Sequence, residues 1–245
     1  MSDQWQVYSC QMGEHVAVIA YDHGAAASLD RLPAQVLGLR LAFRSQNAEG
    51  LPTEQEFDAL TTVDEALEVF AESRGGAYVG RVSTGGVRHF RLYVEGAAAE
   101  VDTSVAALGQ RVGYHFDSYL EADPERSGYW NDLYPSAADW RVIKDAQVIQ
   151  ALAERGDDGT QVRRVEHWAV FPTTAARQSF CAALGPAYEV MPADDALDST
   201  EHIARWGHAS AATLSAITAH TIALGALAQA HGGEYDGWET QLVTP

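Results

Sequence analysis

The chain has 245 residues, of which 47% are hydrophobic, and its 34 acidic and 16 basic side chains give a formal net charge of −18. A chain of this length can fill one large core or two modest ones, and we expect two domains. So acidic a surface argues against nucleic-acid binding, which normally depends on clustered Lys and Arg facing the phosphates.

Two further features bear on the compartment of the protein. Cys10 and Cys181 follow no metal-binding or redox spacing, and no signal-peptide pattern precedes the first elements. No apolar run approaches the roughly 20 residues that span a bilayer. We therefore expect a cytoplasmic protein with reduced thiols and no membrane segment.

The first half predicts a β-α-β-β-α-β order preceded by a hairpin. Alternating apolar residues, β-branched clusters and glycine turns mark its elements. These are a hairpin at 4–22, a strand at 35–44, a helix from 53 to the Gly75-Gly76 stop, strands at 77–83 and 87–94, a helix at 97–111 and a strand at 114–120. At the start of the first helix, Thr53 and Glu56 have the spacing of a capping box, in which each side chain bonds the other's backbone N–H.

The segment between the halves, 123–140, is too aromatic for a flexible linker. We expect it to be ordered, to pack the two halves together, and to line a cleft between them. Its candidate cleft residues are Tyr129, Trp130, Tyr134 and Trp140.

The second half repeats the order of the first. Its predicted elements are a helix from Pro135-Ser136 to 155, a strand at 162–171, a helix from 172 to about 185, strands at 187–191 and 200–209, a helix at 210–231 and a strand at 234–243. The fold class is therefore α+β, with two tandem ferredoxin-like (βαββαβ) units that have antiparallel sheets, the first extended by the N-terminal hairpin. The predicted domains are 1–135 and 136–245.

The most distinctive stretch runs from Gly232 to Thr240, where a long helical run stops at two glycines and an aromatic strand begins. A glycine at this corner is expected to take positive φ as the helix cap. The stretch resembles the Glu-Tyr-Asp-Gly-Trp ending of the regulator of ribonuclease E activity B family, and the resemblance extends upstream through 152–158, 165–168 and Phe171-Pro172. It implies a protein that binds that ribonuclease and restrains it.

The first half also resembles a known family. The stretches 47–54, 79–81 and 88–94 are similar to a bacterial domain family of unknown function that is often fused to the ribonuclease-regulator type. This resemblance covers about residues 4–135 and implies no activity.

The sequence indicates no catalytic, metal or cofactor site. His202 and His208 share one predicted strand but lie about 20 Å apart at roughly 3.3 Å per residue, too far for one ion. Neither cysteine, nor any serine, nor any glycine pair lies in a nucleophile or phosphate-loop motif.

Three tryptophans are more informative, since Trp168, Trp206 and Trp238 lie on three strands that neighbour one another in a ferredoxin-like sheet. They can form one cluster on either face. Such a cluster serves core or interdomain packing, a protein-binding patch, or base stacking, and the charge of the chain opposes the last.

We therefore expect a non-enzymatic regulator that binds a basic protein segment, such as one in a ribonuclease, and so influences RNA turnover. The candidate binding residues are Glu234, Tyr235, Asp236, Trp238, Glu239, His167 and Trp168. Two alternatives stay open. One is an enzyme or small-ligand protein that uses the aromatic cleft, and the other is an oligomer that pairs exposed sheet faces or edges.

Overall fold

The computed structural model describes residues 4–192 and 202–243. The chain divides into two compact units, Met1–Ser136 and Ala137–Pro245. Each contains helices and a sheet whose strand pairings are all antiparallel, which confirms the predicted α+β class. No helix in the described ranges is long and apolar enough to cross a membrane.

Unit 1 is a six-stranded sheet with the order β1-β2-β4-β5-β3-β6. Its elements are β1 (Trp5–Met12), β2 (His15–Asp22), β3 (Gln35–Ala42), α1 (Phe57–Ser73), β4 (Ala77–Thr84), β5 (Val87–Tyr93), α2 (Ala98–Val112), β6 (Asp117–Ala122) and the one-turn α3 (Ser127–Trp130). Strand β3 lies between β5 and β6, and its buried Leu37, Leu39 and Leu41 pack against α1 and α2. The alternation that predicts this strand thus marks the core face.

Both faces of the unit 1 sheet are covered. Segment 123–136 packs on the face opposite α1 and α2, where the buried Tyr129 donates its hydroxyl to the Asp22 carbonyl at 2.9 Å. Tyr8 donates to the Leu133 carbonyl at 3.1 Å. The aromatic residues after β6 are therefore part of the unit 1 core.

Glu56 does not form the predicted capping box. Thr53 makes no side-chain cap bond, and residues 54–56 form a 3₁₀ turn before α1. The Glu56 carboxylate instead accepts the backbone N–H groups of Arg44 and Ser45 and the hydroxyl of Tyr114 at 2.7 Å. The prediction was wrong because these distant donors, which only the folded sheet brings near, satisfy the carboxylate.

Unit 2 is a four-stranded sheet with the order β10-β7-β9-β8. Its elements are α4 (Ala137–Ala153), β7 (Val162–Phe171), α5 (Thr174–Ala183), β8 (Glu189–Val190), β9 (His202–Ala211), α6 (Leu214–Ala230) and β10 (Glu234–Thr240). Strand β8 is much shorter than predicted, and residues 200 and 201 of the predicted β9 lie outside the described residues. One sheet face packs on α5 and α6 through a core that includes Phe180, Trp206 and Leu224.

The corner between α6 and β10 contains two glycines, one that caps the helix and one that packs closely against β7. Gly232 has φ 75°, which confirms the predicted left-handed cap. Gly233 lies against Val170 and Phe171, and an added Cβ would overlap the Phe171 ring.

We expect Gly232→Ala to lower the free energy of unfolding by about 1 kcal/mol, because a β-carbon is disfavoured at positive φ. Open space surrounds this position, so backbone strain is the whole cost. Urea unfolding measures it, and Gly185→Ala, which also meets no neighbour and has no positive φ, is the control. Equal stability of Gly232→Ala and Gly185→Ala would contradict the cap.

Candidate protein-binding site

Strand β10 turns aromatic rings inward and carboxylates outward. Tyr235 and Trp238 are only 4% and 8% exposed, whereas Glu234, Asp236 and Glu239 are exposed. Residues three apart in a regular strand point to opposite faces, but the pairing with β7 shifts between Tyr235 and Gly237. This bulge lets both rings enter the core.

A buried carboxylate on α4 holds the strand in place. Asp145 is 2% exposed and accepts hydrogen bonds from Trp238 Nε1 at 2.8 Å, Thr221 Oγ1 at 2.5 Å and Thr218 Oγ1 at 3.3 Å. Burial raises the pKa of this carboxyl, and the three donors oppose that rise. Helix α4 is thereby joined to both α6 and β10.

Histidines and tyrosines form a chain of polar contacts inside unit 2. Tyr235 OH lies 2.7 Å from His167 Nδ1, and His167 Nε2 lies 3.1 Å from His208 Nδ1. The His208 ring contacts that of His220, whose Nδ1 lies 2.7 Å from Tyr188 OH. The buried Nε2 of His208 has no hydrogen-bond partner in the described part of the chain.

This environment favours neutral imidazoles. Burial, with the neighbouring histidines adding to it, lowers the pKa of His167 to about 3 and that of His208 to about 4. Within the described ranges, no group of three or more His, Cys, Asp or Glu residues has an arrangement that could hold a metal ion. His167 and His208 are therefore buried in the core, where the neutral imidazole is favoured.

The three tryptophans do not form one cluster. Trp238 pairs with His167 in the register of β10 and β7, and His167 pairs with Trp206 in the register of β7 and β9, so these side chains share the helix face. Trp168 is the next residue after His167 and points to the opposite face. The prediction of a single cluster was wrong because the β10 bulge and the β9 register assign the rings to two faces.

The face opposite the helices centres on Trp168. This half-buried ring has the Arg205 guanidinium 5.3 Å from its centroid, and Gly237 lies beside it on β10. Arg205 Nη2 also lies 3.5 Å from Glu166 Oε2. Trp168 and Arg205 thus form a cation–π pair on this face.

Carboxylates outnumber cations on this face, which we call the open face. Arg164 pairs with Glu166 at 3.0 Å and with Glu189 at 2.7 Å. Glu234 and Glu239 form no ion pair with any residue in the described ranges. The register assigns them to the open face, since Glu234 pairs with Val170 and Glu239 with Glu166.

The predicted cleft residues are divided between the units. Tyr129, Trp130 and Tyr134 pack together in unit 1, where the rings of Tyr129 and Tyr134 also contact Tyr21. Trp140 lies on α4 of unit 2. The fold of unit 1 therefore accounts for the burial of Tyr129 without a ligand.

Sequence reasoning missed Asp145, Tyr188 and His220. Asp145 lies four residues after Arg141 and three before Val148, so the three share one face of α4. This helical spacing is the signal from which the position of Asp145 could have been predicted. His220 and Tyr188 carry no comparable signal, because α6 and the loop before β8 meet only in the folded unit.

Residues 3–134, more than half of the chain, match the model of a Family of unknown function (DUF695). The chain belongs to this family. The match confirms the resemblance found in the first half of the sequence, and this family of unknown function brings no activity with it.

The second half matches a different model. Residues 143–240 match Regulator of ribonuclease activity B, a family of regulators rather than enzymes, which confirms the resemblance found in this half. The match includes the whole unit 2 sheet and most of α4. No curated protein and no solved structure matches the chain.

Proposed function

We propose that this protein is a non-enzymatic, cytoplasmic regulator that restrains a ribonuclease by binding a basic segment of it, and so influences RNA turnover. The match of residues 143–240 to Regulator of ribonuclease activity B carries the proposal. The net charge of −18 supports a basic protein partner over RNA.

Two architectural points belong to the same proposal. We take residues 1–135 and 136–245 as the two domains, with the regulatory activity in the second. We also take both as ferredoxin-like units. The strand orders β10-β7-β9-β8 and β4-β5-β3-β6 support this, because each places the first and third strands of a β-α-β-β-α-β series at the centre.

The proposed contact surface is the open face together with the outer side of β10. Glu234, Asp236 and Glu239 supply negative charge, and Trp168 supplies an aromatic surface next to them. Tyr235, Trp238 and His167 are buried, so their part is to hold β10 in position. A basic side chain can pair with a carboxylate and also lie against the indole.

A charge-matched comparison tests this surface. We expect Glu234→Gln/Glu239→Gln to weaken binding of an arginine-rich peptide about tenfold in fluorescence polarisation, because two exposed ion pairs are each worth up to about 1 kcal/mol. Glu49→Gln/Glu54→Gln removes the same two charges from exposed positions of unit 1 and should change the affinity little. Rising salt should weaken binding to the parent protein.

Two results would contradict the proposal. Equal losses in the two double variants would mean that net charge alone attracts the peptide. Tight binding of the parent protein to single-stranded RNA in the same assay would replace the protein partner by a nucleic acid. Trp168→Ala removes the indole from the open face. Weaker peptide binding by this variant would indicate an aromatic contact, and unchanged binding would indicate a purely ionic one.

A further inference from the structure

A groove runs between α4 and β10 inside unit 2. It has a volume of about 460 Å³ and is open to solvent, and its walls are one face of α4 and the stretch Tyr235–Trp238. The α4 side includes Arg141, Lys144, Val148 and Ala151, which recur at the three- and four-residue spacing of one helix face. The hydrogen bond from Trp238 Nε1 to Asp145 joins the two walls.

The groove follows the outer edge of the sheet. Strand β10 is the end of the sheet order and pairs with β7 alone among the described strands. Residues from both faces of β10 line the groove, namely the inward-pointing Trp238 and its neighbours Asp236 and Gly237, so the groove runs along the strand edge. Arg141 Nη1 already donates to the Tyr235 carbonyl at 3.1 Å, which leaves the edge from Gly237 onward for another chain.

We propose that the basic segment binds as an added strand on this edge, antiparallel or parallel to β10. Its backbone pairs with Gly237–Thr240, and α4 lies alongside the part that pairs with Gly237 and Trp238. The proposal rests on the proposed function and adds the mode of binding. Strand addition of this kind takes its affinity from main-chain hydrogen bonds and its specificity from alternate side chains.

The charges around the groove specify the pattern of the segment. Side chains that point to the open face meet Glu234 and Glu239, which favours Arg or Lys there. Side chains that point to α4 meet Val148, Ala151 and the exposed Lys144, which favours small or apolar residues and disfavours a second row of cations. The segment should therefore alternate basic and apolar residues instead of being uniformly basic.

A synthetic octapeptide of alternating Arg and Val tests the backbone pairing. In an extended peptide, alternate N–H groups point to the same edge. We therefore compare a peptide N-methylated at every Arg with one N-methylated at every Val, which lack the hydrogen-bond donors of opposite edges. We expect one of them to bind at least tenfold more weakly in fluorescence polarisation and the other to bind like the parent peptide.

Filling the groove tests its location. Ala151→Trp should reduce binding of the octapeptide at least tenfold, because the indole occupies the space of the added strand. Ala153→Trp makes the same change two residues away, at an exposed position that does not line the groove, and should bind normally. Within 237–240, amide exchange should slow when the octapeptide is bound at those residues whose N–H points away from β7.

The outcomes separate the two proposals. If the octapeptide binds in a salt-dependent manner but both methylated forms and Ala151→Trp bind equally well, strand addition is overturned and the proposed function stands. If neither the octapeptide nor an all-arginine peptide binds, both strand addition and the proposed function are contradicted. If Ala151→Trp converts a dimer to a monomer in light scattering without changing peptide affinity, the edge pairs with a second copy of the chain and the basic segment is the wrong occupant.

Discussion

Replacing Asp145 by alanine is expected to lower the free energy of unfolding by about 2–4 kcal/mol. The change leaves Trp238 Nε1 buried without an acceptor and leaves Thr221 Oγ1 only its longer hydrogen bond to the Thr218 carbonyl, at 3.4 Å. It also removes the contact by which α4 is joined to α6 and β10. Urea unfolding followed by tryptophan fluorescence measures the loss. The groove beside β10 should widen, so amide exchange in α4 should accelerate as well.

Two further variants show whether the lost hydrogen bonds cause the destabilisation of Asp145→Ala. Asp145→Asn keeps an acceptor for the indole, and Thr221 can turn its hydroxyl to accept from the amide, so it should cost about 1 kcal/mol or less. Burial raises the pKa of Asp145, so the fold disfavours the ionised carboxylate. As pH rises above the ordinary carboxyl range, the parent protein therefore loses some stability that the Asn variant does not lose. The difference in the free energy of unfolding between the parent and Asp145→Asn becomes smaller. Lys144→Ala, an exposed neighbour on the same helix, should be neutral. An Asp145→Ala protein as stable as Lys144→Ala would show that the network contributes nothing.

Acid is expected to destabilise unit 2 before unit 1. The folded-state pKa values of His167 and His208 lie near 3 and 4, below the value of about 6.5 for an unfolded histidine. The unfolded chain therefore takes up protons that the folded unit does not, so the stability present above pH 6.5 is lost as pH falls. Between pH 7 and pH 5 the two groups together should cost about 2–4 kcal/mol.

Amide exchange with mass spectrometry resolves this loss by unit. Peptides from β7 and β9 should lose protection at pH 5, after correction for the intrinsic exchange rate, more than peptides from β3 and β4, which contain no histidine. His208→Phe should reduce the pH dependence whatever its stability at pH 7. His115→Gln changes a side chain that is 91% exposed and should leave the pH dependence intact. Identical pH profiles for the parent and His208→Phe would exclude the cluster as the cause.

The local features of the fold were predictable from the sequence where neighbouring residues decide the structure. The helix-to-strand corner at Gly232, the unit 1 hairpins and the apolar alternation of β3 all follow from contacts within a few residues, and the structure contains them. The antiparallel α+β class follows from the order of those elements.

What the sequence could not predict depends on long-range partners. Glu56 has the spacing of a capping residue, yet its three donors come from Arg44, Ser45 and Tyr114. Likewise, a single-residue bulge decides that Trp238 is buried, and nothing in the spacing of Tyr235 and Trp238 reveals that bulge. The orientation of the candidate binding residues therefore depends on strand register, which residue type does not encode.

The groove beside β10 also has a practical consequence for chemistry on the intact protein. Lys144 is the only lysine in the chain, and its side chain is exposed at the groove. Apart from an amino terminus, an amine-directed reagent thus finds one target, without any engineered cysteine. A fluorophore attached there would report directly when the groove fills, and an acyl group there would remove one of the two positive charges, those of Arg141 and Lys144, that line the groove.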